Sequence, residues 1–220
     1  MANQTKLTNQ FLQNIFQTPL LVGYSDSKHI QEKICTLAYK FIETASNAGL
    51  VSEGWNYAKR SSSKEDFNNY GVTSFNSNSL LDLPEWKEVI DFLYDFANTM
   101  ISTVNDSNKN IKFVNSWVTI YPPKTYVPEH IHSNSLLSGV FYAKVSNNCG
   151  NLIFKDPAAV AKTMCIADIN YFPTVKTIYT HIVEQGQMII FPSWLPHLTE
   201  QNHSDSDRIM VSFNIDLDKN

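Results

Sequence analysis

The chain has 220 residues, of which 43% are hydrophobic and 17% charged, and its formal net charge is -4. This profile belongs to a packed globular protein, expected as a single domain over residues 1–220, and excludes a disordered chain. The near-neutral balance without a basic run argues against nucleic acid as a partner, and no stretch reaches the ~18 apolar residues of a membrane span.

Three scattered cysteines, Cys35, Cys149 and Cys165, make neither a disulfide framework nor a CxxC zinc site, and the first residues lack a basic segment followed by an apolar run. A reducing cytoplasm is the expected compartment.

From residue 28 to about 46, Ile30, Ile34, Leu37, Phe41 and Ala45 recur at helical spacing and predict an amphipathic helix. Residues 51–81 are rich in Ser and Asn and read as long irregular surface structure. At its head Trp55, Tyr57, Lys59 and Arg60 are placed to roof a site. Pro84 then opens a second helix, whose stripe is Trp86, Val89, Ile90, Leu93, Phe96 and Met100. After residue 110 short β-branched and aromatic runs replace these periods, predicting strands near 111–121, 129–133, 138–145, 150–155, 177–183, 187–191 and 208–217. Strands at this density imply an antiparallel sandwich or barrel with the helical and loop part, residues 1–110, packed on it.

The stretch PEHIHSN carries His130 and His132 two residues apart, a spacing that puts both on one face of an extended strand, ~6.5 Å apart along the chain. Ile131 then points into apolar packing on the other face, and Glu129, on that same face, is disfavoured as a ligand. Two histidines need a third, and His197, after the proline-framed aromatic turn FPSWLP, is the candidate. Trp194 and Leu195 are expected to dry the mouth around it. Arg208 opens RIMVSFNID, where Arg208, Met210, Ser212 and Asn214 share one face and Ile209, Val211, Phe213 and Ile215 the other. An inward Arg demands an anion, either a carboxylate-bearing cosubstrate or an internal partner such as Asp156, Asp205 or Asp216. Asn134 shares the histidine face and either contacts the ligands or closes the strand in an Asx turn. His29, His181 and His203 are assigned to solvent, and Ser138 to a structural or minor polar contact.

The succession HxH, SGVFYAKV, GNLIFKDP, GQMIIFPSWLPH and RIMVSFN resembles the iron(II)- and 2-oxoglutarate-dependent oxygenases, specifically a microbial and phage branch, over about residues 50 to 217. The resemblance implies a mainly β fold with N-terminal helices, built on a double-stranded β-helix of the jelly-roll or cupin-like kind, in a bacterial or phage-infected cytoplasm. It implies iron(II) held by His130, His132 and His197, and 2-oxoglutarate held through Arg208, with Tyr121 and Tyr142 as further cosubstrate contacts. The activity it implies is hydroxylation of an unidentified substrate with conversion of 2-oxoglutarate to succinate. Two positions depart from the family pattern. His132 replaces the usual carboxylate, and Met210 stands where a small hydroxyl residue often assists the cosubstrate, a role Ser212 fills only with a shift of register. Two other readings accompany this one: a non-catalytic jelly-roll metal-binding module, and a three-histidine cupin-like dioxygenase that does not use 2-oxoglutarate. Sheet edges and helix faces leave room for a homodimer.

Overall fold

The computed structural model describes residues 17–47, 71–75, 79–104, 110–161 and 176–218. In chain order the elements are β1 (Leu21–Tyr24), α1 (Lys28–Asn47), β2 (Val72–Thr73), two single 3-10 turns (Leu80–Asp82 and Pro84–Trp86), α2 (Lys87–Ser102), β3 (Ile111–Tyr121), β4 (Leu137–Lys144), β5 (Leu152–Lys155), β6 (Ile178–His181), β7 (Gln187–Pro192), β8 (His197–Thr199) and β9 (Arg208–Leu217). Among the described residues no helix is long and apolar enough to cross a membrane.

A major sheet runs β1-β7-β4-β9-β3-β2 and a minor sheet β6-β5-β8, with every pairing antiparallel. Residues 127–130 extend the minor sheet beyond β8: Thr199 N–H donates to the Val127 carbonyl at 3.1 Å, and His130 and His197 exchange two backbone bonds of 3.0 Å. From β3 onward the chain therefore passes back and forth between two facing sheets. This is the expected double-stranded β-helix.

Two cores follow from strict alternation along strands buried on both faces. Phe141 and Ala143 of β4, Met188 and Ile190 of β7, and Ile209, Val211, Phe213 and Ile215 of β9 meet Ile30, Ile34 and Ala38 of α1 and Val89, Leu93, Ala97 and Met100 of α2. The neighbouring residues Val140, Tyr142, Ile189, Phe191 and Met210 point between the sheets to Leu152 and Phe154. The inner face of the sandwich is thus apolar at one end, leaving the other end to polar side chains.

Both predicted helices form, although the second begins as a 3-10 turn at Pro84, and strands β3 and β9 have the predicted bounds. The side chain of Ala45 lies outside the described residues. Three strands were not legible: β1 ahead of the first predicted helix, β2 in the irregular stretch, and β8, only three residues long. The strand predicted at 129–133 is corrected to a single bridge at His130. Beyond it the chain leaves the minor sheet, because His132 N–H donates to the Ser193 carbonyl at the end of β7, at 3.0 Å. Ile131 is accordingly 52% exposed rather than packed.

The step Ser138-Gly139 in β4 has a packing cause. A Cβ on Gly139 would lie 2.2 Å from the Phe213 ring, which is itself stacked on Phe113 at 4.5 Å. Gly139→Ala is expected to cost about 1–3 kcal/mol by overpacking, read as a lower urea midpoint at unchanged m-value.

Candidate active site

His130, His132 and His197 come together at the mouth of the sandwich, their candidate ligand atoms all within 4.8 Å of one another. Convergence has a backbone cause. His130 and His197 are directly bonded cross-strand partners, with ring centroids 4.2 Å apart. His132 reaches the same point because the chain has turned toward the major sheet, which places its ring 5.2 Å from His130 and 5.0 Å from His197.

Each imidazole is oriented by a bond at Nδ1. His130 donates to the Pro128 carbonyl and His197 to the Leu195 carbonyl, both at 2.9 Å, and His132 to Asn214 Oδ1 at 2.7 Å. An acceptor at every Nδ1 fixes the Nε2 lone pair as the free one, which is the tautomer a metal ligand needs. The grip on His132 is itself networked: Ser138 Oγ lies 2.7 Å from His132 Nδ1, 2.9 Å from Asn214 Oδ1 and 2.8 Å from Ser193 Oγ. Burial keeps all three rings neutral, lowering His130 and taking His132 to about 4 and His197 to about 3, with the neighbouring imidazoles adding to the last two. Three neutral, pre-oriented nitrogens fit a divalent transition metal.

Arg208 is fully buried. Its Nη1 donates to the carbonyls of Cys149 at 2.7 Å and Gly150 at 3.0 Å, and its guanidinium carbon lies 4.5 Å from the centre of the Tyr121 ring. Gly150 adopts φ +84°, and a Cβ there would meet the Glu200 and Gln201 carbonyls at 2.6 Å, so glycine is needed to present that acceptor. Nε and Nη2, which share the side-on edge of the guanidinium, have no partner among the described residues. Two parallel donors on one edge match a carboxylate.

A cavity of about 400 Å³ lies against the histidines and contains Tyr121, Tyr142, Met210, Ser212 and Asn214 in its wall. Burial raises both phenols, Tyr121 to about 12, so they remain protonated donors. β3 and β9 supply facing ladders through the register Tyr121↔Arg208, Thr119↔Met210, Trp117↔Ser212 and Asn115↔Asn214. Met210 therefore occupies the step beside Arg208, and Ser212 lies one step further along the same face.

The remaining expectations divide. Asn134 is exposed in a left-handed turn at φ 64° and does not line the cavity, so the turn reading replaces the ligand-contact one. Trp194 is 52% exposed and lies outside the cavity wall, whereas Leu195 is buried between the sheets. The aromatic wall is made instead by Trp117 and Phe75, their ring centroids 5.0 Å apart, with Trp117 5.4 Å from His132. Glu129 points away to Lys155 at 2.5 Å. Of the histidines assigned to solvent, His29 and His203 are exposed, and His181 is half-buried against Gln187. Trp55, Tyr57, Lys59 and Arg60 lie outside the described residues. Ser138 and Asn214 were under-read. The signal for Asn214 was its place on the same face of β9 as Arg208.

Residues 115–214 match the family model described as "Putative 2OG-Fe(II) oxygenase". Through this region, somewhat under half of its length, the chain is similar to the 2OG-Fe(II) oxygenases. Iron(II) and 2-oxoglutarate are the cofactors of that family, and the matched region holds all three histidines and Arg208. The fold is similar to that of AviO1 from Streptomyces viridochromogenes Tue57, at 14% identity over 92% of this chain and 90% of that one, TM-score 0.59. It is also similar to HygX from Streptomyces hygroscopicus with nickel and 2-oxoglutarate bound, at 12% identity over 90% and 82%, TM-score 0.51. The viral collagen prolyl hydroxylase vCPH from Paramecium Bursaria Chlorella virus-1, in its 2OG complex, aligns at 15% identity over 89% and 95%, TM-score 0.50. Against three further solved structures the chain spans 59%, 61% and 57% of their length. No curated protein matches the sequence.

Asn214→Ala is expected to leave the chain folded while weakening metal binding about 10- to 100-fold, the usual effect of losing an orienting partner of a ligand histidine; competition with a chromogenic chelator measures it. The depressed histidines also set a pH dependence. The unfolded chain takes up protons below about pH 6.5 that the folded chain refuses, so the metal-free protein loses stability as pH falls through that value. For the deeply buried His197 the slope approaches about 1.4 kcal/mol per pH unit, visible in urea midpoints between pH 5 and 8 and reduced in His197→Gln.

Proposed function

We propose that His130, His132 and His197 hold iron(II), and that Arg208 binds the distal carboxylate of 2-oxoglutarate in an oxygenase that hydroxylates a substrate entering the same cavity. The observation that carries this reading is the side-on edge of a fully buried Arg208, two donors without a partner among the described residues, where the family has a dicarboxylate cosubstrate. Arg208 is not itself in the cavity wall; Tyr121, whose ring lies against its guanidinium, and Tyr142 line the cavity and add protonated phenols. Bound together, iron(II) and 2-oxoglutarate would supply the oxidising chemistry with dioxygen as the oxidant, one oxygen atom going to the substrate hydroxyl and the other to succinate, with release of carbon dioxide. The chain's part is to present three neutral nitrogens, to seat one carboxylate against the guanidinium, and to keep water away with Val140, Leu152, Phe191 and Met210.

The two alternative readings fare less well. A dioxygenase without 2-oxoglutarate requires Arg208 to be neutralised internally, yet no ion pair among the described residues includes it. A closed structural metal site fits poorly beside a cavity of about 400 Å³.

Anaerobic titration of the iron(II)-loaded protein with 2-oxoglutarate, followed by the visible charge-transfer absorption, tests the assignment. Arg208→Met is expected to retain iron and to weaken 2-oxoglutarate at least about 30-fold, the lower limit for removing one partner of a buried charge pair. His197→Ala is expected to lose iron. Unaltered cosubstrate affinity in Arg208→Met removes Arg208 from the site.

A further inference from the structure

The substrate's chemistry is written on the wall that faces His132 from the major sheet. β3 presents Asn115 and Trp117 to the cavity on successive steps of one face, and Phe75 closes edge-on over the Trp117 ring at 5.0 Å. Trp117 is 8% exposed and its centroid lies 5.4 Å from that of His132, so this wall adjoins the metal ligands. Asn115 is the register partner of Asn214, the residue that orients His132, and the β3 register shifts at this point, between Phe113 and Asn115.

Asn115 Oδ1 is shielded from solvent and has no hydrogen-bond partner. A buried acceptor in this condition is normally met by a donor. Among the described residues no side chain supplies one. Charge is also lacking. Among the described residues that line the cavity there is no Asp, Glu, Lys or Arg, so a charged group entering beside Trp117 would find no counter-ion in the wall.

We propose that Asn115, Trp117 and Phe75 form the substrate subsite and that it takes an uncharged, flat or apolar moiety carrying an N–H or O–H donor directed at Asn115 Oδ1. The inference rests on reading this cavity as the oxygenase active site, and it adds the substrate class. Asn115 is its specificity-determining residue: it selects for a donor, and the aromatic pair selects for a flat face.

The test uses the metal-free full chain and four probes of one shape: benzamide, acetophenone, benzenesulfonate and benzamidinium. Binding is read from the Trp117 indole N–H resonance, assigned by its disappearance in Trp117→Phe. Benzamide is expected to shift that resonance at lower concentration than acetophenone, which lacks the donor, by roughly two- to tenfold, the range one neutral hydrogen bond gives. Both charged probes are expected to bind more weakly than benzamide. In Asn115→Leu, whose fold is checked by its methyl dispersion, the preference for benzamide over acetophenone is expected to vanish. A preference that persists in Asn115→Leu, tighter binding of either charged probe, or no shift with any probe overturns the proposal. None of these readings uses iron or 2-oxoglutarate, so a failure of the Arg208 assignment and a failure of this one are separately visible.

Discussion

Much of this architecture is organised around one buried cation. Arg208 begins the last strand, has no exposed surface, and is compensated by two backbone carbonyls and the face of a tyrosine rather than by a carboxylate. Desolvating a guanidinium is costly, and carbonyl dipoles and a ring quadrupole offset only part of that cost. The loop between β4 and β5 is shaped for the task, since Gly150 takes a left-handed conformation against the Glu200 and Gln201 backbone to bring its carbonyl to Nη1. Among the described residues no acceptor meets Nε and Nη2. A ligand carboxylate at that edge would complete a hydrogen-bond set that the fold leaves open, so cosubstrate binding and the stability of this end of the sandwich are linked.

The metal ligands come from opposite sides of the same sandwich. His130 and His197 belong to the minor sheet and are locked by their own backbone bridge, whereas His132 is tied to the major sheet through Asn214, Ser138 and Ser193. A metal held by all three joins the two sheets at their open end, where the apolar inter-sheet packing of Phe154, Ile189 and Phe191 gives way to polar residues. That polar end cannot close by hydrophobic contact. Coordination is the interaction available to hold it.

How far the sequence could be read depends on the range of the forces involved. The faces of β9 were legible because alternation is local: Arg208, Met210, Ser212 and Asn214 point inward, and the other four residues build the helix-side core. The HxH pair was legible as a converging pair, but for an incomplete reason. A strand over 129–133 was expected to align the two rings, and the structure instead turns the chain at His132 toward Ser193. That turn depends on β7, some sixty residues away in sequence, and no local pattern encodes it. The same limit explains Asn134, which fell on the histidine face by counting but sits in a left-handed turn, and Trp194, which flanks His197 in sequence yet faces solvent. Trp117 and Phe75 were missed because their meeting is a pairing of β2 with β3, and β2 is only two residues long.

His132, proposed as a ligand where the family resemblance implies a carboxylate, changes the charge of the site more than its shape. Three neutral imidazoles leave a divalent ion with its full charge, and burial keeps the rings from adding protons of their own. The phenols of Tyr121 and Tyr142 stay protonated for the same reason and contribute no anion. No acidic side chain among the described residues of the cavity wall offsets a metal at the three histidines, and Arg208 adds a further positive charge. A dianionic cosubstrate then has two jobs in one molecule, one end against the metal and the other against the guanidinium. In a site with a carboxylate ligand the first job is half done by the protein; here the chain leaves it to the ligand, and this makes metal and cosubstrate binding mutually reinforcing.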